Sequence, residues 1–265
     1  MRVLKKENPL IHMITNYVTV NDLAQITINY GGLPLMATHH EELEDITGMA
    51  SGLLVNIGTL EPYQMEASLI AMEIAKRREI PRVLDPVGVQ ASSLRKKFAS
   101  EIIKKGNPTL IKGNLAEIKT LIGETSNSIG IDSFDDDLSE NVKSKIKEYS
   151  KEINAVIVVS GVCDFITNGE KSAVVKNGVA MMSKITGTGC MLGALLTIAQ
   201  SFYDDKELSF EEVVKAVETF GICGELAYES LKEGEGLMTF KHKLLDNLSL
   251  ISEDVISQRG KVFYE

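Results

Sequence analysis

The chain has 265 residues, 44% of them hydrophobic and 25% charged, which is material for a packed core and excludes a disordered or fibrous chain. Its net charge of -9 denies it the basic face that nucleic acid or an acidic membrane would require, so the expected partners are small polar molecules. Three cysteines, Cys163, Cys190 and Cys223, with no CxxC pair give neither a disulfide framework nor a zinc knuckle. Charged residues soon after Met1 and the absence of a bilayer-length apolar run read as a soluble, cytoplasmic protein, organised as a single domain over residues 1–265.

In chain order, the first apolar run contains His12, which reads as a hydrogen-bonded core histidine. Short apolar runs at 53–57, 82–84, 109–111 and 155–159 then read as buried parallel strands. Between them lie amphipathic stretches at 64–78, 93–105, 116–122 and 141–150, each spaced to lay one face on a sheet. The polar, aspartate-rich stretch 123–139 reads as a surface excursion. The alternation of strand and helix implies a doubly wound α/β layer.

The glycine turn Ile185-Thr186-Gly187-Thr188-Gly189-Cys190 leads into the most apolar helix of the chain, expected over 191–202. Beyond it, Ser209 and Glu212 form a capping-box pair ahead of a long helix to about residue 231, and one last helix is expected over 240–257.

In an open parallel sheet, ligands gather beyond the carboxyl ends of the strands. There the sequence collects Thr59, Asp85, Lys112, Asn114 and Ser160, with Glu117 one helical turn further on. The glycine turn joins this rim: consecutive N–H groups at a helix start favour an anion, although paired glycines before a helix are also common punctuation. Asp85, next to Pro86, admits a metal or a turn cap, and Asn114 with Glu117 also makes an ordinary helix cap. Two carboxylates, a lysine and an anion-binding helix start are together the parts that position magnesium and a polyphosphate during phosphoryl transfer. Neither a G-x-x-x-x-G-K-[ST] loop nor a G-x-G-x-x-G fingerprint occurs. Cys190, at a helix start, is expected to lean toward thiolate, as nucleophile, base or inert packing residue.

Ile14-Thr15-Asn16-Tyr17-Val18-Thr19-Val20-Asn21-Asp22, Asn56-Ile57-Gly58-Thr59-Leu60, Asp85-Pro86-Val87-Gly88, Gly113-Asn114 with Glu117, and Thr186-Gly187-Thr188-Gly189-Cys190 carry a resemblance over nearly the whole chain. The sequence resembles hydroxyethylthiazole kinase, a thiamin-salvage family with the ribokinase-like fold. That is a three-layer α/β fold with a mainly parallel central sheet flanked by helices. Cysteine closing the glycine turn matches thiazole kinases, where many related sugar and vitamin kinases carry aspartate.

The resemblance implies ATP-dependent, magnesium-assisted phosphorylation of the hydroxyl of 4-methyl-5-(2-hydroxyethyl)thiazole. It matches Met36 and Gly187 to substrate contacts, Lys112, Ser160 and Asn114 to ATP binding, and Asp85 and Glu117 to the acidic pair around magnesium. It also implies a homotrimer with the thiazole site at a subunit boundary, to which Asn16 contributes. Lys112 stands where the family commonly has arginine, and Ser160 where it has threonine. The expected chemistry is in-line attack, with the N–H groups of Gly187, Thr188, Gly189 and Cys190 stabilising charge and the Cys190 thiol assisting weakly. A kinase for another small alcohol such as hydroxymethylpyrimidine, a nicotinamide-hydrate repair lyase and a non-catalytic nucleotide-binding module are the alternatives.

Overall fold

The computed structural model describes residues 7–124, 138–203 and 206–265, so most of the expected surface excursion and the charged amino-terminal residues lie outside the described residues. Strand β1 (Leu10–Ile14) runs into helix α1 (Val20–Asn29) and returns as the parallel strand β2 (Leu33–Leu35). Helix α2 (Leu43–Met49) precedes β3 (Gly52–Asn56), and α3 (Pro62–Arg77), started by a proline in its first turn, precedes β4 (Arg82–Asp85). Then follow α4 (Ser93–Gly106), β5 (Leu110–Asn114), α5 (Leu115–Leu121), α6 (Glu140–Ile153) and β6 (Val156–Ser160). Strands β7 (Asp164–Thr167) and β8 (Ser172–Val175) form a hairpin. Helices α7 (Thr188–Ser201), α8 (Lys206–Glu229), α9 (Leu237–Leu250) and α10 (Glu253–Arg259) and strand β9 (Val262–Tyr264) complete the described elements.

The sheet order is β2-β1-β3-β4-β5-β6-β7-β8-β9. Pairing is parallel through β6 and antiparallel from β7 onward. Side chains alternate between two cores, as the two-residue period of a strand requires. Met13, Leu54, Val83, Leu110 and Val158 face a core shared with α1, α7, α8 and α9. Ile14, Val55, Leu84, Ile111 and Ile157 face the other, shared with α2, α3, α4 and α6. Helices on both faces make the three-layer α/β arrangement that the resemblance implies.

The four expected strands all occur, three of them within a residue of their expected ends and β5 running three residues further to Asn114, with three differences elsewhere. Short strands β1, β2, β7, β8 and β9 flank them, and β1 contains His12. His12 Nε2 donates to the carbonyl of Ala37 at 2.9 Å, which leaves Nδ1 to accept from Thr47 Oγ1 at 3.0 Å. The long helix already includes Lys206, so Ser209 lies inside it and does not cap it. The last expected helix is two: Ile251 is extended at ψ 136°, and Ser252 starts α10 by accepting from the N–H of Val255.

Candidate active site

Strand alternation brings the charged centre together. Val83 pairs with Leu110, so two residues further on Asp85 and Lys112 stand side by side on the face toward α7. Lys112 Nζ lies 3.5 Å from Asp85 Oδ1, with both side chains buried. The other oxygen, Asp85 Oδ2, accepts from Asn56 Nδ2 at 2.6 Å. Asn56 ends β3, and its amide also donates to Cys190 Sγ at 3.2 Å. Asn16 lies just past β1 and donates to Asn56 Oδ1 at 3.0 Å and to Cys190 Sγ at 3.5 Å. Its own oxygen accepts from the N–H and hydroxyl of Thr19, both at 3.1 Å.

Asn114 and Glu117 close a reciprocal cap at the start of α5, with the N–H of Glu117 to Asn114 Oδ1 at 2.9 Å and the N–H of Asn114 to Glu117 Oε2 at 2.8 Å. The ordinary-cap reading of this pair is therefore correct. Glu117 also receives the N–H of Gly88 on Oε1 at 2.8 Å, which ties it to the loop behind Asp85.

The glycine turn starts α7 against this cluster. Gly187 has φ 89°, a left-handed conformation that glycine adopts without strain. A Cβ on Gly189 would come within 2.9 Å of Lys112 Nζ, so the ammonium rests directly on the first turn of the helix. Thr188 turns inward: its hydroxyl donates to the carbonyls of Met182 and Ile185, both at 2.8 Å, and its N–H goes to Ile185 at 3.3 Å. The free donors of the turn are consequently the N–H groups of Gly189 and Cys190, which take no backbone acceptor among the described residues.

Burial dominates the electrostatics. It pushes the Asp85 carboxyl up, against the neighbouring Lys112 cation and its hydrogen bonds. It pulls Lys112 down, but Asp85, Glu117 and Cys190 hold the ammonium above its ordinary value. Glu117 is pushed up to about 7 by burial, with Lys112 opposing and Asp85 adding. Burial also raises the Cys190 thiol, helped by Asp85 and opposed by Lys112 and the hydrogen bonds of Asn56 and Thr19. Burial and the nearby carboxylate thus act against the expected thiolate.

Ser160 stands on the same rim beyond Asn114, its hydroxyl 3.4 Å from the Gly113 carbonyl, half-buried. Met36 follows β2 and packs, partly buried, on the α7 side of the sheet. Sequence reasoning missed Asn56 as a site residue, although a polar side chain ending a wholly buried apolar strand was there to be read.

Among the described residues no group of three or more His, Cys, Asp or Glu is gathered to hold a metal by itself. Each oxygen of Asp85 and Glu117 already accepts one bond. A carboxylate oxygen accepts two, so both side chains keep capacity toward a cation. That suits an ion completed by phosphate oxygens and water.

The hydroxyethylthiazole kinase family model matches residues 1–254. The hydroxyethylthiazole kinase of Clostridium perfringens is 76% identical over the full length of both chains. That of Clostridium kluyveri is 40% identical, covering 99% of this chain and 94% of its own. The structure of the hydroxyethylthiazole kinase protein from Pyrococcus horikoshii superposes with a TM-score of 0.84 at 34% identity, over 97% of this chain and 94% of that one. Pyridoxal kinase from Staphylococcus aureus, in complex with AMP-PCP, shares the fold at a TM-score of 0.67 and 15% identity, over 98% and 99% of the two chains. With its own family's model spanning almost all of it and such relatives along their whole length, the chain belongs to the hydroxyethylthiazole kinase family.

Proposed function

We propose that this kinase transfers the γ-phosphoryl group of ATP to the hydroxyl of 4-methyl-5-(2-hydroxyethyl)thiazole at the carboxyl ends of β3, β4 and β5. The observation that carries the reading is the buried Asp85–Lys112 pair set against the first turn of α7. A fixed ammonium and the N–H groups of Gly189 and Cys190 converge there, and such groups stabilise the charge of a transferring phosphoryl group at no cost of reorganisation. Lys112 then serves the phosphate end of the nucleotide, and Asn114 and Ser160 line its path. Lysine offers a point charge where arginine would offer a two-pronged grip.

The side chains of Asp85 and Glu117 suit a magnesium ion together with phosphate oxygens; when bound, the ion neutralises developing negative charge. Cys190 keeps its proton and sits beside the attacking hydroxyl, its sulfur held by Asn16 and Asn56. Such a thiol orients an alcohol and does not deprotonate it, and a loose transition state needs little base. Gly187 and Met36 belong to the alcohol's side of the site.

The exposed Tyr17, Val18 and Val20 follow directly on Asn16. They support a homotrimer in which this segment serves a neighbouring subunit. Among the described residues no helix is long and apolar enough to cross a membrane. The test is ADP release from ATP and magnesium against a panel of the thiazole alcohol, hydroxymethylpyrimidine and pyridoxal. The thiazole is expected to give the highest kcat/KM, and no ADP with any thiazole would overturn the reading. Light scattering on the eluted protein should give three times the chain mass.

A further inference from the structure

We propose that Arg95 is a positioning residue for phosphoryl transfer, because its guanidinium grips from behind two peptide groups whose N–H ends hold Glu117 and the Asn56 amide that in turn holds Asp85. The proposal rests on the reading of Asp85 and Glu117 as the acidic pair of the site. Arg95 lies in the first turn of α4, where Ser92 Oγ accepts its backbone N–H at 3.2 Å. Its Nη1 donates to the carbonyls of Ile57 and, at 2.8 Å, Val87, and its Nη2 to that of Gly58 at 2.9 Å. These carbonyls belong to the loops that leave β3 and β4.

The far ends of two of these peptides carry the argument. In the Val87–Gly88 peptide the oxygen takes Arg95 while the N–H donates to Glu117 Oε1 at 2.8 Å. In the Ile57–Gly58 peptide the oxygen takes Arg95 while the N–H donates to Asn56 Oδ1 at 2.9 Å. Because that N–H can only donate, the Asn56 oxygen must face it, so the Asn56 amino group faces Asp85 Oδ2 at 2.6 Å and Cys190 Sγ at 3.2 Å. A peptide is planar and stiff, so fixing its oxygen fixes the direction of its N–H. A cation on the oxygen also polarises the amide and strengthens the donor at its other end. One side chain thereby sets the aim of Glu117 through the Gly88 N–H and of Asp85 through the Gly58 N–H and Asn56, without touching either.

Arg82 is the matched control. It too is partly buried and binds backbone carbonyls, with Nε to Gly106 at 2.8 Å and Nη1 to Ile80 at 3.0 Å, but at the amino end of β4. The experiment compares Arg95→Ala, Arg95→Lys and Arg82→Ala in steady-state kinetics with ATP and the thiazole alcohol, alongside thermal unfolding. Arg95→Ala should lower kcat by roughly 10- to 100-fold, as loss of groups that orient ligating carboxylates does, and leave KM for the alcohol within about threefold. Guanidinium ion at a non-denaturing concentration should restore part of that kcat and do nothing for Arg82→Ala. Arg95→Lys should recover only part, since an ammonium cannot span three carbonyls.

A kcat in Arg95→Ala no lower than in Arg82→Ala overturns the proposal, and so does a loss that guanidinium leaves untouched. Should Arg95→Ala not fold, Arg95→Lys decides: reduced kcat at an unchanged unfolding midpoint supports the proposal, and wild-type kcat overturns it. Asp85→Ala in the same assay separates the two readings. Wild-type turnover there removes the acidic-pair reading and this one with it. Collapse there, beside wild-type turnover in Arg95→Ala, removes this one alone.

Discussion

At the carboxyl ends of β3, β4 and β5 the chain buries Asp85, Lys112, Glu117 and Cys190 inside a net of asparagine amides and loop N–H groups. At the amino ends of the same sheet the polar groups are mostly neutral and close upon themselves: Thr109 Oγ1 accepts the N–H of Arg82 at 3.0 Å and donates to Gln200 Oε1 at 2.7 Å. Helix α7 meets both regions, its first turn on the charged one and Gln200 of its last turn on the neutral one. The neutral set satisfies its hydrogen bonds and asks nothing of a ligand. The charged set carries desolvation costs that an apolar cluster of the same volume would avoid, so under the proposed function its value lies in the charge it would present to a bound phosphate.

Substitutions at the two ends should therefore separate activity from stability. Asp85→Ala is expected to have the largest effect, a loss of turnover of about a thousandfold, with unfolding easier by about 3–5 kcal/mol because Lys112 is left buried without its partner. Steady-state ADP release and denaturant titration measure the two. Next comes Glu117, whose carboxyl moves from 4.5 to about 7 on folding. The folded state binds the extra proton, so this group costs nothing below about pH 4.5, and its cost grows as pH rises to about 7, to roughly 3 kcal/mol. Unfolding free energies taken without magnesium between pH 5 and 8 should fall more steeply in the wild type than in Glu117→Gln, and parallel slopes would disprove the shift.

Cys190→Ala follows, with turnover reduced by about tenfold or less, since a protonated thiol contributes orientation and no base. Complete loss equal to that of Asp85→Ala would break the ranking. The smallest effect on activity belongs to Thr109→Val at the neutral end. It should cost about 1–2 kcal/mol of stability by orphaning buried partners and leave kcat unchanged; a fall in kcat would erase the contrast between the two ends.

Much of this contrast was legible in the sequence. Unbroken apolar runs such as 155–159 announce buried parallel strands, and polar residues at their carboxyl ends mark Asp85, Lys112, Asn114 and Ser160 as one rim. The short strands were harder to read. β1 contains His12, whose place depends on Ala37 and Thr47 from elsewhere in the chain, and β7 to β9 draw their support from pairing with one another. Asn56 and Arg95 gave weaker signals because their partners, the Asp85 and Cys190 side chains for one and loop carbonyls for the other, meet them only after folding. Cys190 misled for a different reason: its position at a helix start is visible, whereas its burial beside Asp85 is not.

The tight seating of α7 also limits how the turn can vary. A Cβ on Gly187 would collide with Thr19, one on Gly189 would reach 2.9 Å from Lys112 Nζ, and one on Gly193 would come to 3.4 Å from Asp85 Oδ2. Each glycine answers to a different neighbour, and those neighbours answer to one another. A side chain at Gly187 would therefore need both a left-handed backbone and a change at Thr19, whereas one at Gly189 would meet the movable end of Lys112 and one at Gly193 an ordinary contact with Asp85.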